Sequence, residues 1–324
     1  MKDIIKSAIY GFVVGDALGV PVEFSKREYL KNNPVIDFID NPSRRTTKGF
    51  WSDDTAMTLC TMQSIIDCNE INHEDMMNKY LKWFEEGFMT PDGKCFGIGQ
   101  NTLKTLSNYK KSKSFAQFYI ENGRNNEKAG GNGALMRILP IVLFLYNNDL
   151  KKYNKDVQNF RKYDLIEFNV GMTHNLNVNN ETCVFYTMLV FNLIKYKDLK
   201  KAYEISCDET IKWYSGCPST DLKRILLKTI INEVENNIKS SGYVVDSMEA
   251  SIWCLFNTNS YEEAVLKAIN LGGDTDTIGA ITGSLAGIYY GLENIPDKWV
   301  NNLLNKDLID DTINKFIYVT ISNI

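Results

Sequence analysis

The chain has 324 residues, 44% of them hydrophobic, and a formal net charge of −4. That is enough apolar material for a sizeable core, and so balanced a charge argues against a nucleic-acid-binding or membrane-surface protein. The seven cysteines (Cys60, Cys68, Cys95, Cys183, Cys207, Cys217 and Cys254) are odd in number and form no CxxC pair. With only two histidines, neither a disulfide framework nor a His-rich zinc site is indicated, and a reducing, cytoplasmic location is expected.

Residues 3–20 read as an apolar helix that runs into Gly15-Asp16-Ala17-Leu18-Gly19. Pro21 breaks it and leaves Glu23 just past the turn, where by itself it reads as an ordinary exposed acid. Lys2 and Lys6 before the apolar run faintly resemble a secretory leader, but Asp3 and Asp16 interrupt the pattern and no small-residue cleavage site follows. No apolar run has the length of a membrane span, so a soluble protein is expected. Residues 30–50 are rich in turn formers, and Arg44-Arg45 reads as solvated surface.

Trp51-Ser52-Asp53-Asp54-Thr55 then flows into an apolar helix, with Ser52 or Asp53 as a plausible N-cap. Residues 74–87 predict another helix, with Met76, Met77, Tyr80, Leu81 and Phe84 facing the core. Two glycine-rich segments follow, from Thr90 to Thr102 and from Ala129 to Arg137, each leading into an apolar run. Glycine loops that open onto helix N-termini present bare N–H groups to a phosphate, although neither segment matches a P-loop. His174, alone, reads as a satisfied, partly buried histidine. Helices are predicted at 181–194, across 200–240, at 248–256 and at 262–269.

The stretch from Leu271 to Gly291 is the most constrained. Gly279, Gly283 and Gly287 lie on one stripe of a helix, where three interior glycines imply close approach of another backbone. Asp274, Asp276 and Thr277 fall at its first turn. One reading makes Asp274 or Thr275 a cap and Asp276 a first-turn acid favoured by the helix dipole. The other makes the three residues oxygen ligands for a hard cation such as Mg²⁺. The acidic pair Asp53-Asp54 upstream favours the cation, because it relieves the repulsion between adjacent carboxylates. Helical periodicity along the whole length, with almost no strand pattern, predicts an all-α chain of a dozen or so helices in one compact domain, 1–324.

Taken together, GDALG–PVE, WSDDT, TPDGKCFGIG, GGNGALMR, MTH and GGDTDTIGAITG resemble the motifs of the ADP-ribosylglycohydrolase family, in the same order. The resemblance implies an all-helical fold with two divalent cations, Mg²⁺ or Mn²⁺, in a central cleft. It implies Ser52, Asp53 and Asp54 as one ligand set and Asp274, Asp276 and Thr277 as the other, with Glu23 beside them. Gly97, Gly99, Asn101, Gly131, Asn132 and Gly133 would bind the diphosphate, and His174 would lie near the ADP-ribose. The implied reaction is hydrolysis of the bond from ADP-ribose to a protein side chain or small acceptor. Glu23, Asp54 and Asp274 would be the catalytic carboxylates, with Glu23 as the base. The expected partner is ADP-ribose or an ADP-ribosylated protein, with no nucleic acid and no membrane, bound by a monomer.

Two positions depart from the family pattern. Arginine-directed members tend to carry Asp-Ile-Gly where this chain has Gly97-Ile98-Gly99, which leaves room for ADP-ribosyl-serine or O-acetyl-ADP-ribose. Asn175 stands after His174 where a glycine is common. Other possibilities are a non-catalytic ADP-ribose-binding or structural relative and a hydrolase of another nucleotide-like glycoside.

Overall fold

A computed structural model describes residues 1–124, 130–148, 163–216 and 218–322; Ala129 and Cys217 lie outside them. The helices are α1 (Lys2–Gly19), α2 (Arg27–Asn32), α3 (Asp53–Cys68), α4 (His73–Glu86), α5 (Gln100–Lys111), α6 (Phe115–Arg124), α7 (Leu139–Asn147) and α8 (Asp164–Gly171). They continue with α9 (Asn177–Tyr196), α10 (Leu199–Trp213), α11 (Lys223–Leu226), α12 (Val244–Phe256), α13 (Tyr261–Asn270), α14 (Thr275–Tyr290), α15 (Asp297–Asn301) and α16 (Lys306–Ser322). Among the described residues there is no β-strand, only isolated bridges at Asn41–Thr46 and Gly131–Tyr243. The fold is all-α, as the periodicity predicts, with more short helices than expected.

Two helices form its axis. α1 and α14 run antiparallel with their backbones in contact, and the glycine stripe of α14 meets glycines on α1. A Cβ added to Gly279 would stand 2.5 Å from the Gly15 carbonyl oxygen, and one added to Gly287 would stand 2.2 Å from that of Ser7. At the far end a Cβ on Gly19 would meet the Thr275 carbonyl oxygen at 2.4 Å, and Thr275 Oγ1 donates to Gly19 O at 2.8 Å. No side chain fits between these helices, so their relative position is held by main-chain contact.

The core closes around this pair. α9 is apolar on nearly all sides and is buried from Glu181 to Ile194. Three of its buried hydroxyls are satisfied: Thr182 and Thr187 donate to carbonyls one turn back, and the Tyr186 hydroxyl lies 2.8 Å from Ser284 Oγ on α14. The segment Lys2–Val22 is long and apolar enough to cross a bilayer, but 89% of its apolar 18-residue window is buried inside the protein, as in a core helix.

Residues 200–240 depart from expectation. After α10 only single turns occur: α11 and the 3₁₀ turns Thr220–Leu222, Ile230–Asn232 and Glu235–Asn237. The end of this segment is held by Arg27, whose guanidinium donates to the carbonyls of Glu235 and Ile238 at 2.7 and 2.6 Å, and through Nε to that of Leu271 at 2.8 Å. Carbonyls held in this way are anchored to the turn before α14 instead of completing a helix.

Candidate active site

The C-terminal end of α1 anchors the N-termini of both acid-bearing helices. Asp16, fully buried on α1, accepts from the Ser52 N–H at 3.1 Å and from Ser52 Oγ at 2.8 Å. It also accepts from the Thr55 N–H at 3.0 Å and from Thr55 Oγ1 at 2.5 Å. Those bonds fix the first turn of α3 and hence Asp53 and Asp54. The start of α14 is held by backbone pairing: Phe24 N–H donates to Gly273 O at 2.7 Å, and Gly273 N–H donates to Ser25 O at 3.0 Å. Gly273 sits at φ +75°, where a Cβ would strike the Ser240 carbonyl oxygen at 2.0 Å.

These constraints converge on a cavity of about 330 Å³. Glu23, Asp53, Asp54, Asp274, Asp276 and Thr277 line it, together with Gly97, Gly99, Asn101, Gly131, Asn132, Gly133 and His174. Of the sequence-selected residues only Ser52 is absent from the wall. It is the N-cap of α3, with Oγ 2.8 Å from Asp16 and 3.2 Å from Asp54 Oδ2. Asp274 occupies the N-cap position of α14, but its side chain makes no capping bond. Instead its Oδ2 accepts from Asn132 Nδ2 at 2.6 Å, which ties the acidic wall to the second glycine loop. Thr277 Oγ1, 3.3 Å from Asp54 Oδ2, joins the two acidic clusters.

The electrostatics follow from burial. Desolvation, followed by repulsion from neighbouring carboxylates, pushes Asp53, Asp54 and Asp276 well above the usual carboxylate range. Glu23 is pushed up to about 7, chiefly by burial, although Arg44 opposes the shift. Asp16 is pushed up to about 6 by burial, against the hydrogen bonds of Thr55 and Ser52. Carboxylate oxygens of Glu23, Asp274 and Asp276 lie within 4.8 Å of one another, and the buried Asp54 Oδ1 has no hydrogen-bond partner. An all-oxygen donor set with an orphaned buried carboxylate oxygen fits a hard divalent cation. Glu23, Asp274 and Asp276 supply oxygens close enough to share one, and Asp54 a further oxygen without a partner.

α5 begins at Gln100 behind Gly99, and Gly99, Gln100, Asn101 and Thr102 at its start line the same cavity, where the first N–H groups of a helix lack intrahelical partners. Gly97, at φ +82°, approaches Asp53 so closely that a Cβ would stand 2.3 Å from Oδ1. His174 is 3% exposed, and burial followed by the charge of Arg137 pushes it down to about 3, which keeps the ring neutral.

Sequence reasoning missed Asp16 and Arg44. An acid in the middle of an otherwise apolar helix is a signal that could have found Asp16; nothing local marks Arg44. It is not solvated surface: its guanidinium pairs with Glu23, its side chain is 23% exposed, and it lies 5.7 Å from the centres of the Phe24 and Phe96 rings. Glu23, with 11% of its side chain exposed, is not an ordinary surface acid. Phe24, Gln100, Thr102, Met136 and Gly242 also line the cavity.

An all-helical domain whose buried carboxylates and glycine loops line one cavity defines a hydrolase-like site. Residues 1–322 match the ADP-ribosylglycohydrolase family, and the chain belongs to that family. It is 28% identical to the ADP-ribosylarginine hydrolase Tri1 of Serratia proteamaculans (strain 568), over 98% of this chain and 80% of that protein. It is 24% identical to the ADP-ribosyl-[dinitrogen reductase] glycohydrolase of Rhodospirillum rubrum, over 94% of this chain and 91% of the other. A solved structure described as an ADP-ribosylglycohydrolase-related protein complex superposes with a TM-score of 0.77 at 25% identity, covering 100% of this chain and 99% of that one.

Proposed function

We propose that this chain is a divalent-cation-dependent hydrolase that cleaves the bond between ADP-ribose and a side-chain nitrogen or oxygen, or a small acceptor, releasing ADP-ribose. The observation that carries this reading is the set of buried carboxylates and two glycine loops lining one cavity, in a chain of this family.

Asp53, Asp54, Asp274, Asp276 and Thr277 would hold two Mg²⁺ or Mn²⁺ ions, with Ser52 set behind them between Asp16 and Asp54. Bound there, divalent cations orient ribose hydroxyls and increase the acidity of a nearby water. The residues supply the rest. N–H groups of the Gly97–Gly99 and Gly131–Gly133 loops and of the α5 N-terminus receive the diphosphate. The transition state at C1 is oxocarbenium-like, and the surrounding acids favour its positive charge. Glu23, beside Asp274 and Asp276 and paired with Arg44, would take the proton of the attacking water, and a neighbouring protonated carboxyl would give one to the departing nitrogen or oxygen.

Two observations pull apart on the linkage. Gly97 offers no carboxylate to a substrate guanidinium, which supports O-linked ADP-ribose, whereas the similarity to Tri1 supports the arginine linkage. The free cysteines Cys60, Cys68, Cys95, Cys183, Cys207 and Cys254 suit a reducing, cytoplasmic location. The test is ADP-ribose release from matched arginine-linked and serine-linked substrates, each with Mg²⁺ and with EDTA. Mg²⁺-dependent release from one substrate only supports the hydrolase and identifies the linkage. No release from either, with ADP-ribose still bound, would leave a different linkage or a binding-only relative.

A further inference from the structure

Arg137 is fully buried directly beneath the second glycine loop, and every oxygen it reaches is uncharged. Its Nη1 donates to Gly133 O and to Thr173 Oγ1, both at 3.0 Å, and its Nη2 donates to Asn169 O at 3.2 Å. The Tyr80 ring covers the guanidinium, with its centre 5.1 Å from Cζ. A guanidinium only donates. Thr173 Oγ1 is therefore an acceptor toward Arg137, and Nδ1 of His174 lies 2.8 Å from the same hydroxyl. The opposite edge of the imidazole faces the cavity wall: a methyl on Gly133 would stand 3.1 Å from Nε2, and one on Gly131 3.6 Å.

We propose that Arg137 and Thr173 are positioning residues that lock His174 in the tautomer carrying its proton on Nε2. His174 then presents an uncharged N–H donor to an anionic oxygen of a ligand seated against the glycine loop. Arg137 occupies one lone pair of the Thr173 hydroxyl and polarises its O–H; with that hydrogen given to Nδ1, the one remaining ring proton sits on Nε2. In the opposite tautomer Nδ1–H would take the hydroxyl's second lone pair, and Nε2 would present a bare lone pair to the ligand. An oxyanion repels a lone pair and accepts from an N–H, so the tautomer decides whether this wall attracts or repels a phosphate. The identity of the anion, the diphosphate of ADP-ribose, rests on the proposed function; the tautomer does not.

With only His73 and His174 in the chain, ¹⁵N-histidine spectra contain two rings, and a His73→Gln variant assigns them. The metal-free protein should show His174 with Nε2 protonated and Nδ1 bare across pH 6–8. Thr173→Val should abolish that signature while the helical circular dichroism is retained, and should weaken ADP-ribose binding roughly tenfold or more, the loss expected of a misdirected hydrogen bond to a charged group. Thr173→Ser should restore both. A proton on Nδ1 in the wild-type protein, or an unchanged tautomer in a folded Thr173→Val variant, would overturn the relay. A Thr173-dependent Nε2 proton whose resonance ignores added ADP-ribose but moves with inorganic pyrophosphate would uphold the relay and count against the proposed substrate. A resonance that ignores both would overturn the donor role.

Discussion

Gly11 on α1 and Gly283 on α14 face one another backbone to backbone: a Cβ on Gly11 would stand 2.3 Å from the Gly283 carbonyl oxygen, and one on Gly283 would stand 2.1 Å from that of Gly11. The Tyr261 hydroxyl closes the contact by donating to Gly11 O at 2.8 Å. Any side chain here must drive the two axial helices apart. Gly283→Leu is therefore expected to destabilise by about 1–3 kcal/mol or more, through overpacking that neither backbone can relieve. Gly99→Ala is the control, because a methyl there meets nothing within 4 Å. Thermal melts should show a clear drop for the first and little change for the second; equal melting temperatures would mean the helices separate freely.

Asp16 organises the first turn of α3 without lining the cavity. An amide in its place offers one acceptor oxygen where two backbone N–H groups and two hydroxyls now converge. Asp16→Asn should destabilise by about 1–3 kcal/mol, the usual cost of leaving a buried donor unsatisfied. It should also weaken Mg²⁺ binding, because Asp53 and Asp54 lose their fixed orientation. Calorimetric titration with Mg²⁺ checks this, and an unchanged affinity would show that α3 holds its first turn unaided.

Much of this architecture was legible in the sequence. The glycine stripe at Gly279, Gly283 and Gly287 predicts a close helix contact because helix-interior glycine is costly, and that logic is local. The partner glycines Gly11, Gly15 and Gly19 stand at the same spacing on α1, but nothing in sequence order pairs residue 11 with residue 283. The paired acids at 53–54 and 274–276 were readable as a site because adjacent carboxylates repel one another, and the fold brings both pairs to one cavity. Arg44 was not, because its meaning lies in a fold-back that brings it to Glu23. The end of the segment after α10 was not readable because the carbonyls of Glu235 and Ile238 are claimed by Arg27, more than 200 residues away in sequence.

Asp54 carries the most direct test of the cation site. Its Oδ1 is buried without a hydrogen-bond partner, and its charge is opposed by Asp16, Asp53 and Asp274. Asp54→Asn removes a repelling charge, so the metal-free variant should melt higher than the metal-free wild type. It should also lose the stabilisation that Mg²⁺ confers. Turnover should fall on the order of 100-fold or more, since even outer-shell partners of a bound metal are worth about 10–100-fold. Scanning fluorimetry with and without Mg²⁺, alongside the release assay, reads all three. A variant that still gains stability from Mg²⁺ would place the cation elsewhere.

The pH dependence of metal stabilisation should have a definite sign. Glu23 and Asp16 are pushed up to about 7 and about 6 in the folded protein, against roughly 4 in the unfolded chain. A raised folded-state value favours the protonated, folded form. Its stabilising contribution is full below about pH 4 and is lost as pH rises through 6 to 7. His174 and His73, pushed down to about 3 and about 4 by burial, act in the opposite sense: their contribution is full above about pH 6.5 and is lost toward acid. The two effects offset each other in a plain melting curve, but the histidines contribute alike with and without metal. The difference between Mg²⁺ and EDTA melts therefore isolates the carboxylates. That difference should grow from pH 5 to pH 8, as deprotonated acids come to repel one another without a cation and to bind one when it is present. A difference that is flat or shrinks across this range would mean that the buried acids are not what the cation relieves.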